Sequence, residues 1–351
     1  MRDFLKLTDF DYSLPEGFIA QDPSSPRDSA KLMVFDAESG VVEHKIFRDI
    51  VEYLNEGDVL VLNRSKVLKA RIVFDFAGGA CEIFLLRQVD GGSEGKTYNC
   101  LVKPGRKFQK GSRISVNNDL IIEVLDVKVD GVRVIKFITE KDVEDFGVAP
   151  FPPYIKRSRS SLEEYQTVYA REKGSVASPT AGLHFTNELL NEVARKGVSI
   201  EKILLHVGLG TFAPVRVENV VDHVMHSEFF QLTDDIAERL NAAKREKRRI
   251  VAVGTTSVRV LETCFKDGEF KPWEHCSGET NIFIYPGYKW KAVDALVTNF
   301  HLPKSTLIML VASFLEHKGV KDGAKKILEL YEIAKKENYR FYSFGDAMII
   351  I

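Results

Sequence analysis

The run Gly174-Ser175-Val176-Ala177-Ser178-Pro179-Thr180-Ala181-Gly182-Leu183-His184-Phe185-Thr186 sets one imidazole and several hydroxyls among small residues. Small residues let a backbone come close to a ligand or to a neighbouring element. The periodic run Leu189, Leu190, Val193, Ala194 then reads as a helix with Thr186 as its N-cap. A polar loop feeding a helix N-terminus offers N–H groups to an anion or a polar substrate. A tight packing turn is the alternative reading.

Four more constellations follow apolar, strand-like runs. His206 leads into Val207-Gly208-Leu209-Gly210-Thr211-Phe212, where G-x-G clears side chains from the path of a nucleoside or phosphate, although a plain turn has the same pattern. Gly254-Thr255-Thr256-Ser257-Val258-Arg259 puts a glycine and three hydroxyls at a helix start, suited to a carboxylate or to ordinary capping. Asp222-His223-Val224-Met225-His226-Ser227-Glu228 holds two histidines and two acids. Such a set serves proton transfer, a metal ion or a polar surface turn, and it lacks the spacing of H-E-x-x-H. Asn299-Phe300-His301-Leu302-Pro303-Lys304 brings an amide, an imidazole and an ammonium to another helix start. The final stretch, Tyr339 to Met348, mixes aromatic rings with Arg340 and Asp346, a pattern for base stacking or for ordinary core. Walker A, G-x-S-x-G and protein-kinase motifs are missing.

The elements that must position these residues fall into three stretches. The first contains strands over Lys31–Asp36 and Asp58–Asn63 with a helical turn between, Phe47 to Leu54. From about residue 66 to 150, six β-rich runs alternate with Gly-Gly, Pro-Gly, Asn-Asn and Asp-Gly turns, which predicts a small antiparallel barrel. From residue 151 onward strands and helices alternate, which predicts an α/β layer of largely parallel strands. The expected organisation is a discontinuous α/β main domain, 1–65 plus 151–351, with residues 66–150 inserted as a β-barrel. Lys156-Arg157-Ser158-Arg159-Ser160-Ser161 reads as an exposed loop.

The chain of 351 residues is 44% hydrophobic and 28% charged, the composition of a globular protein, and its net charge of −1 leaves no global basic field. Any contact with nucleic acid must come from local patches. Cys81, Cys100, Cys264 and Cys276 form no CxxC pair, which argues against a structural zinc or a disulfide framework and for a reducing compartment. The N-terminus lacks the apolar core of a signal peptide, and the longest apolar stretch, Leu307–Leu315, is too short to span a bilayer. The expected location is the cytoplasm.

Together these segments resemble the S-adenosylmethionine:tRNA ribosyltransferase-isomerases of queuosine biosynthesis, which make epoxyqueuosine. Further matching stretches are Asp9 to Pro15, Ile19-Ala20-Gln21, Val102 to Arg106 and Tyr165 to Ala170. The match runs in family order along nearly the whole chain. Ser178 and Leu209 stand where alanine is usual, and Arg64-Ser65 where Asp-Thr is common, so this chain has no acid at position 64.

The resemblance implies a barrel-like α/β main domain with an inserted antiparallel β-barrel. It implies S-adenosylmethionine as co-substrate and ribosyl donor, with no permanently bound cofactor and no metal. The acceptor is 7-aminomethyl-7-deazaguanine at the wobble position of tRNA, in the anticodon stem-loop, and adenine and methionine leave. The expected state is a monomer away from membranes. Attack by the aminomethyl nitrogen needs a base, and departing adenine needs a proton donor. His184, His206, His226 and His301 are the candidates, with Asp222 or Glu228 orienting a histidine. Gly208, Gly210, Thr255, Thr256 and Ser257 are expected to cradle the nucleoside and the methionine carboxylate, and Thr180, Thr211, Asn299 and Asp346 complete the substrate set. Lys103, Arg106, Lys156, Arg157 and Arg340 are expected at RNA phosphates. Three rival readings are an S-adenosylmethionine-dependent RNA methyltransferase, a non-catalytic RNA-binding module, and a metal hydrolase built on His223 and His226.

Overall fold

Val59-Leu60-Val61-Leu62-Asn63 is buried at every position, as are Ile250–Val253 and Ala295–Asn299. Unbroken apolar runs of this kind form strands covered on both faces. The computed structural model describes residues 5–89, 96–129, 131–208, 210, 215–271 and 278–351. In chain order its strands are β1 (Lys31–Phe35), β2 (Val42–Ile46), β3 (Val59–Asn63), β4 (Ser65–Val67), β5 (Arg71–Asp75), β6 (Ala80–Gln88), β7 (Thr97–Lys103), β8 (Arg113–Asn117), β9 (Leu120–Val127), β10 (Arg133–Ile138), β11 (Glu172–Ser175), β12 (Ser199–Leu205), β13 (Glu228–Gln231), β14 (Ile250–Val253), β15 (Phe265–Lys266), β16 (Glu269–Phe270), β17 (Gly278–Thr280), β18 (Ala295–Asn299) and β19 (Ala347–Ile350). The α-helices are α1 (Asn187–Arg195), α2 (Asp234–Arg245), α3 (Thr255–Cys264), α4 (Thr306–His317) and α5 (Gly323–Lys336).

The chain divides into two compact units. One comprises Met1–Ser65, Pro153–Glu172 and Ser178–Ile351; the other comprises Lys66–Pro152 and Lys173–Ala177. The second unit is a six-stranded antiparallel sheet in the order β5-β6-β7-β10-β9-β8, nearly closed and barrel-like. Its strands alternate: Ile72, Cys81, Ile83, Leu85, Ile122, Val124, Ile135 and Phe137 point into the core. Register shifts at Leu85/Arg87, Ser115/Asn117 and Val134/Ile135 are the bulges that curl such a sheet. All six β-rich runs expected from the sequence are present as strands.

The first unit is built on a nine-stranded mixed sheet in the order β17-β13-β12-β3-β14-β18-β19-β1-β2. β12, β3, β14 and β18 run parallel, and so do β19 and β1. The pairs β17–β13, β13–β12, β18–β19 and β1–β2 are antiparallel. The sheet is therefore mixed where largely parallel strands were expected. In that order β17 and β2 stand at the two ends, and no strand pairing joins them among the described residues. The short strands β13 and β17 add antiparallel pairs at one end of the sheet, and β19 sits inside it between β18 and β1.

One face of this sheet meets α1 and the turn Phe47–Tyr53. Leu60, Leu62, Val251, Val253 and Val297 pack there with Phe47, Phe185, Leu189 and Val193. Each such side chain contributes about 1.5–3 kcal/mol on burial. α1 starts where expected, since Thr186 Oγ1 accepts from Leu189 N at 3.1 Å.

Candidate functional site

Because β12, β3, β14 and β18 are parallel, their C-terminal ends lie along one edge of the sheet. This is the ligand edge of an open α/β sheet. His206 follows β12, Ser65 lies just past β3, Gly254-Thr255-Thr256 follows β14, and Asn299 ends β18. Asn63 clamps two of these ends together. Its amide donates to Leu205 O at 2.9 Å, and its Oδ1 accepts from Leu205 N and Ser65 N at 3.1 Å each. Ser65 Oγ thereby reaches His206 Nδ1 at 2.8 Å, and the imidazole stacks on Phe229 with centroids 5.7 Å apart.

A narrow cleft opens at this edge. Gly210, His223, Met225, His226 and Glu228 form one wall. Thr255, Thr256 and Arg259 of α3 form the floor, and Thr306, Leu307 and Leu310 of α4 face them together with Ile282, Phe283 and Ile284. No side chain caps α3, whose N-cap is Gly254, and Thr256 Oγ1 is buried without a partner. Two helices thus start at the cleft. Ser305 caps α4 by accepting from Ile308 N at 3.3 Å, so it is the uncapped start of α3 whose first-turn N–H groups and positive dipole end suit a carboxylate.

Glu228 and Arg259 form an ion pair in the cleft floor, 6% exposed each. Glu228 Oε1 also accepts from Gly208 N at 2.8 Å, and Arg259 Nη2 donates to Thr280 O at 3.2 Å. Burial pulls the Arg259 guanidinium down to about 10, so it stays charged at neutral pH. Glu228, expected to orient a histidine, bonds Arg259 and Gly208. His223 is shifted below the ordinary imidazole value by partial burial and by the neighbouring His226. Its ring meets Phe283 edge-on at 5.3 Å. His226 is exposed in the cleft and lies against Gly210, where a Cβ would fall 2.3 Å from the imidazole Cδ2.

Several expected site residues lie elsewhere. Asp222 is exposed and accepts from Asn219 Nδ2 at 3.3 Å, with no histidine among its hydrogen-bond partners in the described residues. Ser257 turns its hydroxyl onto Val253 O at 2.8 Å and is fully buried. Thr211 lies outside the described residues. His301 is buried: its Nε2 meets Thr298 Oγ1 at 2.8 Å, its N–H donates to Tyr331 Oη at 2.8 Å, and burial pushes the imidazole down to about 3.

Thr180, His184, Asn299 and Asp346 do come together, in a buried network behind the cleft. Thr180 Oγ1 donates to Asn299 Oδ1 at 2.8 Å, and Asn299 Nδ2 sits 3.4 Å from His184 Nε2 and 3.3 Å from Asp346 O. The His184 imidazole is pushed down to about 3 by burial first and then by the Arg340 charge. Asp346 accepts from Lys31 N at 3.1 Å and Arg340 N at 2.7 Å, which closes the turn 340–346. The small-residue run around Thr180–His184 packs closely against its neighbours. Ala181 packs beside Gly254, and a Cβ on Gly182 would land 1.9 Å from Tyr169 Oη. The helix starts that reach the cleft are those of α3 and α4, not that of α1.

Of the residues expected at RNA phosphates, Lys103 and Arg106 are exposed on the β unit. Lys156 and Arg157 are exposed on the first unit, in a loop whose backbone is tied down. Gln21 Oε1 accepts from Lys156 N at 2.8 Å and Arg157 N at 3.2 Å, and Asp22 Oδ1 accepts from Arg159 N at 2.9 Å. Arg340 is half-buried, pairing with Asp346 at 3.1 Å and donating to Asp22 O at 3.3 Å and to Ser24 Oγ.

Sequence reasoning missed Arg259 as a site residue, and it missed the apolar wall. Its signal was Ile282-Phe283-Ile284-Tyr285 before Pro286-Gly287, an apolar run with a turn directly behind it. Among the described residues no group of three or more His, Cys, Asp or Glu is placed to hold a metal ion, and no helix is long and apolar enough to cross a membrane.

A family model described as "Queuosine biosynthesis protein" matches residues 7–350. The S-adenosylmethionine:tRNA ribosyltransferase-isomerase of Acetivibrio thermocellus is 49% identical over 99% of this chain and 100% of its own length. The protein of that name from Clostridioides difficile is 48% identical, again over 99% of this chain and 100% of its own length. Among solved structures, the S-adenosylmethionine tRNA ribosyltransferase of Thermotoga maritima matches with a TM-score of 0.54 and 38% identity, over 98% of this chain and 100% of that one. With a cleft at the ligand edge and matches that run end to end, the chain belongs to the queuosine biosynthesis family of transferase-isomerase enzymes.

Proposed function

We propose that this enzyme transfers and isomerises the ribosyl moiety of S-adenosylmethionine onto 7-aminomethyl-7-deazaguanine at the wobble position of tRNA. The products are epoxyqueuosine in tRNA, adenine and methionine. The observation that carries this reading is the cleft, which brings two histidines and two helix starts into one lining, in a chain matched over its length by relatives of that name. The uncapped start of α3, with Thr255 and Thr256, suits the methionine carboxylate. Phe283 and its apolar neighbours suit the faces of the nucleoside.

In this reading His226, exposed in the cleft, moves the proton, and His223 beside it stays neutral at pH 7 and able to accept one. Glu228 and Arg259 hold Gly208 and Thr280, and so keep β13 and β17 in place under the site. His184, His206 and His301 support the strand ends. Lys103, Arg106, Lys156 and Arg157 take phosphates of the anticodon stem-loop. The first unit is the catalytic domain and residues 66–150 its inserted β-barrel, working as a cytoplasmic monomer with S-adenosylmethionine as co-substrate.

Product analysis tests the reading. The protein is incubated with S-adenosylmethionine and tRNA bearing the aminomethyl-deazaguanine, and small molecules are identified by mass spectrometry. Free adenine and methionine that depend on that tRNA are expected. S-adenosylhomocysteine would make the protein a methyltransferase, and no product at all would leave only a binding role.

A further inference from the structure

The facing walls of the cleft come from distant segments, and one short stretch of chain bonds to both. Leu7 N donates to Glu218 O at 2.9 Å and Val220 N to Leu5 O at 2.9 Å, an antiparallel bridge centred on Lys6 and Asn219. This holds the chain just ahead of His223 and His226. A few residues further on, Lys304 N donates to Phe10 O at 2.9 Å, Lys304 Nζ pairs with Asp11 Oδ2 at 2.7 Å, and Tyr12 Oη donates to His301 O. This second attachment holds the chain just ahead of Thr306 and Leu307.

Between the attachments lies a single 3-10 turn, Leu7–Phe10, braced by Lys6 N donating to Asp9 Oδ2 at 2.9 Å. At about 2 Å rise per residue it is a stiff spacer of about 8 Å. Phe10 is fully buried, and the Tyr12 ring meets Tyr331 edge-on at 5.3 Å, so the strap cannot slide. Lys304 has φ of 56°, left-handed backbone that a lysine keeps only where its surroundings hold it.

We propose that the strap Leu5–Tyr12 is a cross-brace that sets the width of the cleft, and that Tyr12 is a positioning residue for the reaction. It acts through the chain ahead of α4 and touches no substrate. The activity part of this inference rests on the cleft being the S-adenosylmethionine site; the mechanical part does not.

Tyr12→Phe removes one hydroxyl bonded to His301 O and nothing bonded to 218–226. Amide hydrogen exchange is expected to rise both in 301–310 and in 218–226. The KM for S-adenosylmethionine is expected to rise about five-fold, the equivalent of one net hydrogen bond. Leu7→Pro, which removes the N–H given to Glu218, is expected to loosen 301–310 from the other end. If each variant loosens only the segment it touches, the brace is overturned; if exchange rises in both segments but KM stays unchanged in Tyr12→Phe, the positioning role of Tyr12 is overturned and the brace stands. Failure of the wild-type protein to release adenine would sink the functional reading, and the two exchange measurements would still decide the brace.

Discussion

A buried imidazole stays neutral because nothing around it replaces the water its cation would need. His184 and His301 are in this position, both pushed down to about 3. The unfolded chain binds a proton on each ring near pH 6.5, while the folded chain resists until about pH 3. Stability contributed by these rings is therefore whole above pH 6.5 and drains away as the pH falls from 6.5 toward 3, by up to about 1.4 kcal/mol per pH unit for each. Urea unfolding of wild type and His301→Gln across that range measures it, and a variant with the same slope as wild type would refute it. The same burial separates the histidines by role. His226→Ala should lower turnover by about 10²–10⁴-fold, the usual worth of a proton-transfer group, and leave the unfolding midpoint in place. His301→Ala should act mainly on the midpoint. The Glu228–Arg259 pair is a third case. Glu228→Ala leaves a buried guanidinium without its partner and should cost about 3–5 kcal/mol in urea unfolding. Glu228→Ala combined with Arg259→Met should recover part of that loss, and no recovery would argue against a charged pair.

Helix ends divide by whether a side chain closes them. Thr186 caps α1, and Thr186→Ala should cost about 1 kcal/mol of stability with turnover per folded molecule unchanged, because α1 does not reach the cleft. A loss of turnover larger than the loss of folded protein would bring α1 back into the site. α3 has no side-chain cap and starts at the cleft, where a ligand carboxylate could take that place. Most elements were legible from local pattern. The six strands of the β unit alternate with turn signals, and a helix follows the expected N-cap Thr186. The strands missed were β2, β4, β11, β13, β15, β16, β17 and β19. β13 begins with Glu228 and ends with Gln231, and β17 is only Gly278–Thr280, so neither has an apolar run to read. Their identity as strands comes from the partners they pair with.

At the scale of the molecule, a net charge of −1 means that any RNA contact is local. If Lys103 and Arg106 each hold a phosphate, Lys103→Ala and Arg106→Ala should each flatten the slope of log affinity against log salt by about 0.7–0.9. An unchanged slope in a titration from low to moderate salt would remove that residue from the interface. Composition, turn chemistry and hydrophobic period belong to neighbouring residues, so the α/β and all-β stretches, the helix start at Thr186 and the family resemblance could all be read along the chain. Which polar groups meet could not. Asn299 and Thr180 are far apart in sequence and share a hydrogen bond; Glu228 and Arg259 form a pair; His301 meets Thr298 in a buried setting. Those outcomes depend on β3 lying between β12 and β14 and on which strand ends share an edge. Strand order is a property of long-range pairing, and no local pattern carries it.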